Sequence, residues 1–200
     1  MRIGIYGGTF SPIHNGHVQA AKAFMEQMWI DVLFVIPTGE SPHKQMSNGA
    51  TAEDRLNMCR LAFEGVDGVV VSDLEIQRQG KSYTVDTLRF FSVNPEDRLF
   101  LLCGTDMMLT LDTWKDADEI FRLCYPVYIR REDDRSLDSK IIAKISEYKQ
   151  KYGRSIVKIV SEPIVVSSNS IREKLRAGES VEGLLPTAVY EYIKNRGLYL

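Results

Sequence analysis

The chain opens Arg2-Ile3-Gly4-Ile5-Tyr6-Gly7-Gly8-Thr9-Phe10-Ser11-Pro12-Ile13-His14-Asn15-Gly16-His17. The apolar run at its start reads as a strand, and the glycine pair directly after it removes side chains where the backbone must turn and approach a ligand closely. Pro12 stiffens the loop. Two of the protein's three histidines then stand three residues apart, flanking Gly16. His17 is predicted to fall in the first turn of a helix, where amides without helical partners and a partial positive charge favour an anion. Gly16 is expected to keep the space between the imidazoles open. Strand, tight turn and helix start are the opening of a β-α-β unit with an anion site at the turn. The dinucleotide fingerprint is excluded, because no G-x-G-x-x-G follows the strand, and so is a P-loop, because no lysine follows the glycines.

The same alternation continues along the chain. Short apolar runs at 32–36, 69–71, 99–102, 127–129 and 156–160 join 3–6 as predicted strands, and 163–165 is also strand-like. Several are apolar on both faces, as in a sheet covered on both sides. Amphipathic helices are predicted at 17–28, 52–63, 84–91, 139–152, 170–176 and 187–196, the second opened by a capping box at Thr51-Ala52-Glu53-Asp54. The expectation is an α/β fold, a Rossmann-like doubly wound parallel sheet with helices on both faces. It forms a single domain over residues 1–200, with 168–200 as a small helical C-terminal part. Ligands of such sheets bind outside the carboxyl ends of the strands, so motifs that follow strands carry most weight.

Composition bounds the class. With 200 residues, 44% of them hydrophobic and 26% charged, the chain is an ordinary globule. A net charge of −2 gives no general attraction for a nucleic-acid polymer. Cys59, Cys103 and Cys124 stand far apart, which predicts reduced, buried thiols and a cytoplasmic setting, and argues against disulfides or a zinc knuckle. No leader is apparent, and no run approaches the roughly 20 apolar residues that span a bilayer. The charged run at 130–135 reads as a solvated loop.

Further motifs follow the strands. Ser167-Ser168-Asn169-Ser170-Ile171-Arg172 offers hydroxyls and an amide at a helix start, and Arg172 adds a planar fork suited to phosphate. A plain capping box of Ser170 with Glu173 is the alternative. Pro37-Thr38-Gly39-Glu40-Ser41-Pro42-His43-Lys44 is a loop in which Lys44, taken alone, reads as a surface lysine. Gly80-Lys81-Ser82-Tyr83-Thr84-Val85-Asp86 reads as a helix start with Ser82 or Thr84 as its cap. In Leu101-Leu102-Cys103-Gly104-Thr105-Asp106 a carboxylate stands at a strand's end, where such a group can accept from hydroxyls, and Trp114, taken alone, reads as a core or helix-packing indole. His14 and His17 could themselves be structural, or half of a metal site with His43.

G-G-T-F-x-P-I-H-x-G-H resembles the signature of the nucleotidyltransferase superfamily marked by H-x-G-H, and within it the chain is similar, over nearly its whole length, to the bacterial nicotinate-nucleotide adenylyltransferases. The sequence departs from the family at Ser11, where an aspartate is usual, and at Asn169, where a threonine is usual. The resemblance implies transfer of the adenylyl group of ATP to nicotinate mononucleotide, giving nicotinate adenine dinucleotide and pyrophosphate, with Mg²⁺ bound mainly through substrate phosphates and no metal site of the protein's own. It implies His14, His17 and Arg172 as catalytic residues. Gly7, Gly8, Thr9, Phe10, Gly16, His43, Lys44, Ser167, Ser168, Asn169 and Ile171 would meet ATP and its phosphates. Ser82, Tyr83, Thr84, Gly104, Asp106 and Trp114 would meet the nicotinate nucleotide. The expected partners are those two nucleotides, with no nucleic-acid polymer and no membrane, and with room for a homodimer. Pantetheine-phosphate or flavin mononucleotide adenylyl transfer is the rival chemistry, opposed by Ser82-Tyr83-Thr84 and Trp114. A non-catalytic nucleotide-sensing module is the rival class, opposed by the intact H-x-G-H.

Overall fold

A computed structural model describes residues 1–40, 49–78, 80–130, 135–160 and 166–200. Six strands, β1 (Arg2–Gly8), β2 (Val32–Pro37), β3 (Val69–Val71), β4 (Arg98–Gly104), β5 (Cys124–Ile129) and β6 (Val157–Ile159), form one sheet in the order β3-β2-β1-β4-β5-β6. Every neighbouring pair is parallel. This is the doubly wound arrangement expected from the alternation. Strand order reverses between β1 and β4, so the crevice of the fold opens at the carboxyl ends of these two strands.

Nine helices stand among the described residues. They are α1 (Asn15–Met28), α2 (Ala52–Ala62), α3 (Leu74–Gln77), α4 (Thr84–Phe91), α5 (Thr105–Thr110), α6 (Ala117–Leu123), α7 (Asp138–Tyr152), α8 (Ser168–Arg176) and α9 (Thr187–Arg196). The helices of four to seven residues, α3, α5 and α6, were not legible from periodicity, because two turns or fewer carry too little of a 3.6-residue pattern. The strand-like 163–165 lies outside the described residues.

The strands' period of two sorts their side chains onto opposite faces. Tyr6, Leu33, Val35, Phe100, Leu102 and Val127 pack with side chains of α1, α2, α8 and α9. Ile3, Ile5, Ile36, Leu99, Leu101 and Tyr128 pack with those of α4, α5, α6 and α7. Gly4 makes the first layer close: a Cβ there would stand 2.9 Å from Phe24 of α1 and from Leu33 of β2. All three cysteines are buried.

Helix starts decide where the site residues point. At α2 the predicted box is present: Asp54 N–H donates to Thr51 Oγ1 at 3.1 Å, and Thr51 N–H donates to Asp54 Oδ2 at 3.0 Å. A cap of this kind is worth about 1 kcal/mol. Asp54 also accepts from Tyr192 at 2.9 Å, which fastens α9 onto α2. At α8 the box is shifted from the expected one. Ser167, with extended backbone, is the cap and exchanges hydrogen bonds with Ser170, while Glu173 accepts from Asn169 instead. At α4 the cap position falls on Tyr83, not on Ser82 or Thr84. Ser82 is drawn away because its hydroxyl accepts the Gly39 N–H at 3.1 Å.

Candidate active site

The turn after β1 uses its two glycines differently. Around Gly7 nothing lies within 4 Å of where a Cβ would stand, so the backbone presents an open face. At Gly8 a Cβ would meet the Phe10 ring at 2.9 Å. Phe10, at φ 47°, is buried beneath the loop and packs edge-on against Tyr6 and His17, with centroids 5.3 and 5.1 Å away. Its ring supports the histidines from below.

His14 caps α1 and His17 is its third residue, one turn in. Their rings stack, with centroids 3.6 Å apart and planes 26° from parallel. The expected gap between the imidazoles is therefore absent. Gly16 makes room for the His14 ring itself, which a Cβ would approach to 3.1 Å. His14 N–H donates to His17 Nδ1 at 3.2 Å. Accepting there places the proton of a neutral His17 ring on Nε2, making that nitrogen a donor.

The second motif comes to the first across most of the chain. Ser168 Oγ donates to the Pro12 carbonyl at 2.9 Å, and Arg172 Nη1 donates to the Ser11 carbonyl at 2.8 Å. Arg172 Nη2 also donates to Asn169 Oδ1 at 2.9 Å, and burial holds this guanidinium below its ordinary range. The amino ends of α1 and α8 are thus joined on one loop, and two helix amino ends side by side are a seat for a polyphosphate. Ile171, expected at the phosphates, turns its side chain into the core. His43 and Lys44 lie outside the described residues.

The other group of predicted residues stands at the ends of α4 and β4. Tyr83 and Thr84 open α4, and Asp86 is turned aside to Arg89 at 2.7 Å, which leaves the helix start without an inward carboxylate. Lys115 lies 4.4 Å over the Tyr83 ring. Gly104 ends β4, and a Cβ on it would touch the Asp106 carboxylate at 2.9 Å, so glycine there lets Asp106 fold back over the strand end. The turn before Trp114 is held by Asp112, which bonds Tyr148 at 2.9 Å and Lys144 at 2.8 Å. Trp114 itself is half-buried at the edge of the core.

Three residues went unnoticed in the sequence. Buried Arg55 donates to the Thr9 carbonyl at 2.9 Å and to the Gly39 carbonyl at 3.2 Å. Buried Glu75, whose carboxyl burial pushes up, accepts from Thr87 at 2.7 Å. Tyr199, near the chain's end, bonds Ser11 Oγ at 3.1 Å, and burial raises its phenol to about 12. A signal existed only for Arg55: four residues before Cys59, it puts a charge on the apolar stripe of α2.

Glycines for close approach, helix amino ends joined on one loop and an imidazole pair, set at the switch point of a doubly wound sheet, are an arrangement with the chemistry to hold an anion. A model of the cytidylyltransferase-like family matches residues 5–174, from β1 through α8, and the chain belongs to that family and, within it, to the nicotinate-nucleotide adenylyltransferases. A probable nicotinate-nucleotide adenylyltransferase of Desulfatibacillum aliphaticivorans is 36% identical over 217 residues, covering 100% of both chains. One from Dehalococcoides mccartyi is 37% identical, covering 100% of this chain and 97% of its own. Among solved structures, a Plasmodium falciparum nicotinic acid mononucleotide adenylyltransferase complexed with NaAD shares the fold, with a TM-score of 0.81 at 19% identity over 99% of this chain and 97% of that one.

Proposed function

We propose that this protein transfers the adenylyl group of ATP to nicotinate mononucleotide, releasing pyrophosphate and giving nicotinate adenine dinucleotide. The observation that carries the reading is the His17 ring, whose Nδ1 accepts the His14 N–H so that the proton of the neutral ring sits on Nε2, in the loop that opens at Gly7. An oxygen of the acceptor's phosphate attacks the α-phosphorus in line, and the bond to the pyrophosphate oxygen breaks. Negative charge grows on the α-phosphate oxygens, where His17 Nε2–H donates, and on the leaving group, where the amino ends of α1 and α8 and the Arg172 charge oppose it. The acceptor's ring lies toward Thr84 and Trp114, and its carboxylate toward the amino end of α4. Direct transfer, with no nucleotidyl-enzyme intermediate, is part of the proposed reaction.

Among the described residues no three His, Cys, Asp or Glu side chains come together. Such a donor set fits a magnesium ion carried mainly by the nucleotide's phosphates and waters. When bound, the ion supplies neutralisation of the triphosphate's charge. The reaction and the buried thiols support a cytoplasmic setting. The test is pyrophosphate release with ATP and a panel of acceptor nucleotides. Turnover with nicotinate mononucleotide is expected, and none with any acceptor would overturn the reading.

A further inference from the structure

Arg55 is the bulkiest of the fully buried side chains, and it carries a charge. Its Nη1 holds the Thr9 carbonyl, in the loop after β1 that receives ATP, at 2.9 Å. Its Nη2 holds the Gly39 carbonyl, after β2, at 3.2 Å. Gly39 is hooked onward: its N–H donates to Ser82 Oγ at 3.1 Å, and the next carbonyl, Glu40, accepts Ser82 N–H at 2.8 Å. Ser82 runs directly into Tyr83 and Thr84 at the start of α4. Gly39 has no slack on its other side, since its Cβ direction ends 2.2 Å from the Glu75 carbonyl. One guanidinium therefore ties the loop after β1 to the loop after β2, and Gly39 and Glu40 carry that tie on to Ser82, at the start of the acceptor segment. The Thr9 and Gly39 carbonyls are both neutral, and burial pushes the guanidinium below its ordinary range although the Glu75 carboxyl acts in the opposite direction.

We propose that Arg55 is a positioning residue that sets the spacing between the ATP site and the acceptor site. The inference rests on the adenylyl-transfer reading. Each site keeps its own contacts without Arg55, but in-line attack needs the two phosphates registered against one another, and an error near 1 Å costs about 10²-fold. Lysine at 55 retains the charge and reaches only one of the carbonyls. Arg55→Lys is expected to lower kcat by about 10- to 100-fold, while KM for ATP and for nicotinate mononucleotide each stay within about threefold.

The experiment measures kcat and both KM values per folded molecule, with Tm alongside, for wild type, Arg55→Lys, Ser82→Ala and the double variant. Inactive wild type would sink the reaction itself before any variant is read. Ser82→Ala breaks the same tie at its next link and carries the test alone if Arg55→Lys does not fold. It is expected to lower kcat without raising KM for ATP, and the double variant to be no worse than Arg55→Lys. Wild-type kcat in a folded Arg55→Lys protein, or in Ser82→Ala, would overturn the proposal. So would multiplicative losses in the double variant, or a rise in both KM values at constant kcat.

Discussion

His17 has two separable jobs, and substitution can part them. Its Nδ1 accepts the His14 N–H at 3.2 Å, which closes the first turn of α1. Its Nε2, protonated as a consequence, donates to the α-phosphate in the proposed reaction. Asparagine puts an amide oxygen at the place of Nδ1 and nothing at Nε2. Glutamine puts an amide nitrogen near Nε2 and loses the acceptor near the helix start. Losing a donor aimed at a developing oxyanion costs about 10²–10³ in rate, or roughly 2.7–4 kcal/mol. Losing a cap-type acceptor costs about 1 kcal/mol of stability. For a domain of this size that is roughly 2–4 °C in Tm. His17→Asn is therefore expected to lower kcat in pyrophosphate release about 10²–10³-fold with Tm within about 1 °C of wild type. His17→Ala should lose both, and His17→Gln should recover part of the rate while melting like alanine. The assay pairs steady-state kcat with thermal melts on the same preparations. Normal turnover in His17→Asn would remove Nε2 from the mechanism, and equal Tm values in all three variants would refute the capping half.

Four more outcomes are expected. Arg172→Lys loses one of the bonds to Ser11 and Asn169, so KM for ATP should rise by about tenfold; unchanged kinetics would make Arg172 a surface cover. Nicotinate mononucleotide should be preferred over nicotinamide mononucleotide by at least about tenfold in kcat/KM, because the amino end of α4, with Asp86 turned to Arg89, offers donors to a carboxylate and would leave an incoming NH₂ unpaired; equal values would defeat that assignment. EDTA should stop the reaction and added magnesium restore it, whereas one tight zinc per purified chain would revive a metal role for the histidines. Burial pushes the Asp54 carboxyl up, but bonds from Thr51 and Tyr192 and the Arg196 charge more than offset this, so its folded value sits below the usual range. Its stabilisation is present above the unfolded value and is lost as pH falls through the folded one. Asp54→Asn should thus cost about 1–3 kcal/mol at pH 7, with the Tm gap closing as the pH falls below the ordinary carboxylate range; a constant gap would rule out the linkage.

The sheet was legible because buried parallel strands are written as apolar runs, and the glycine turn with H-x-G-H marked the loop after β1 before any contact was known. These are local signals: strand and turn identities depend on a few adjacent residues. The α8 start shows where local reading falters. Ser167 and Ser170 both suit a cap; in the structure Ser167 is the cap, and the bond of Ser168 to Pro12, 156 residues away, ties this earlier helix start to the loop after β1. The loops' undersides were less legible still. Ser11 meets Tyr199, and Arg55 meets Thr9 and Gly39, through chain folding that brings together residues with no shared periodicity. The sequence by itself determined the β-α alternation, the glycine turn after β1 and the imidazole pair. Only the tertiary structure decided that the imidazoles stack, that His17 Nδ1 is an acceptor, and that a buried guanidinium joins the loops after β1 and β2, because hydrogen bonds between distant backbone carbonyls and side chains leave no pattern along the chain.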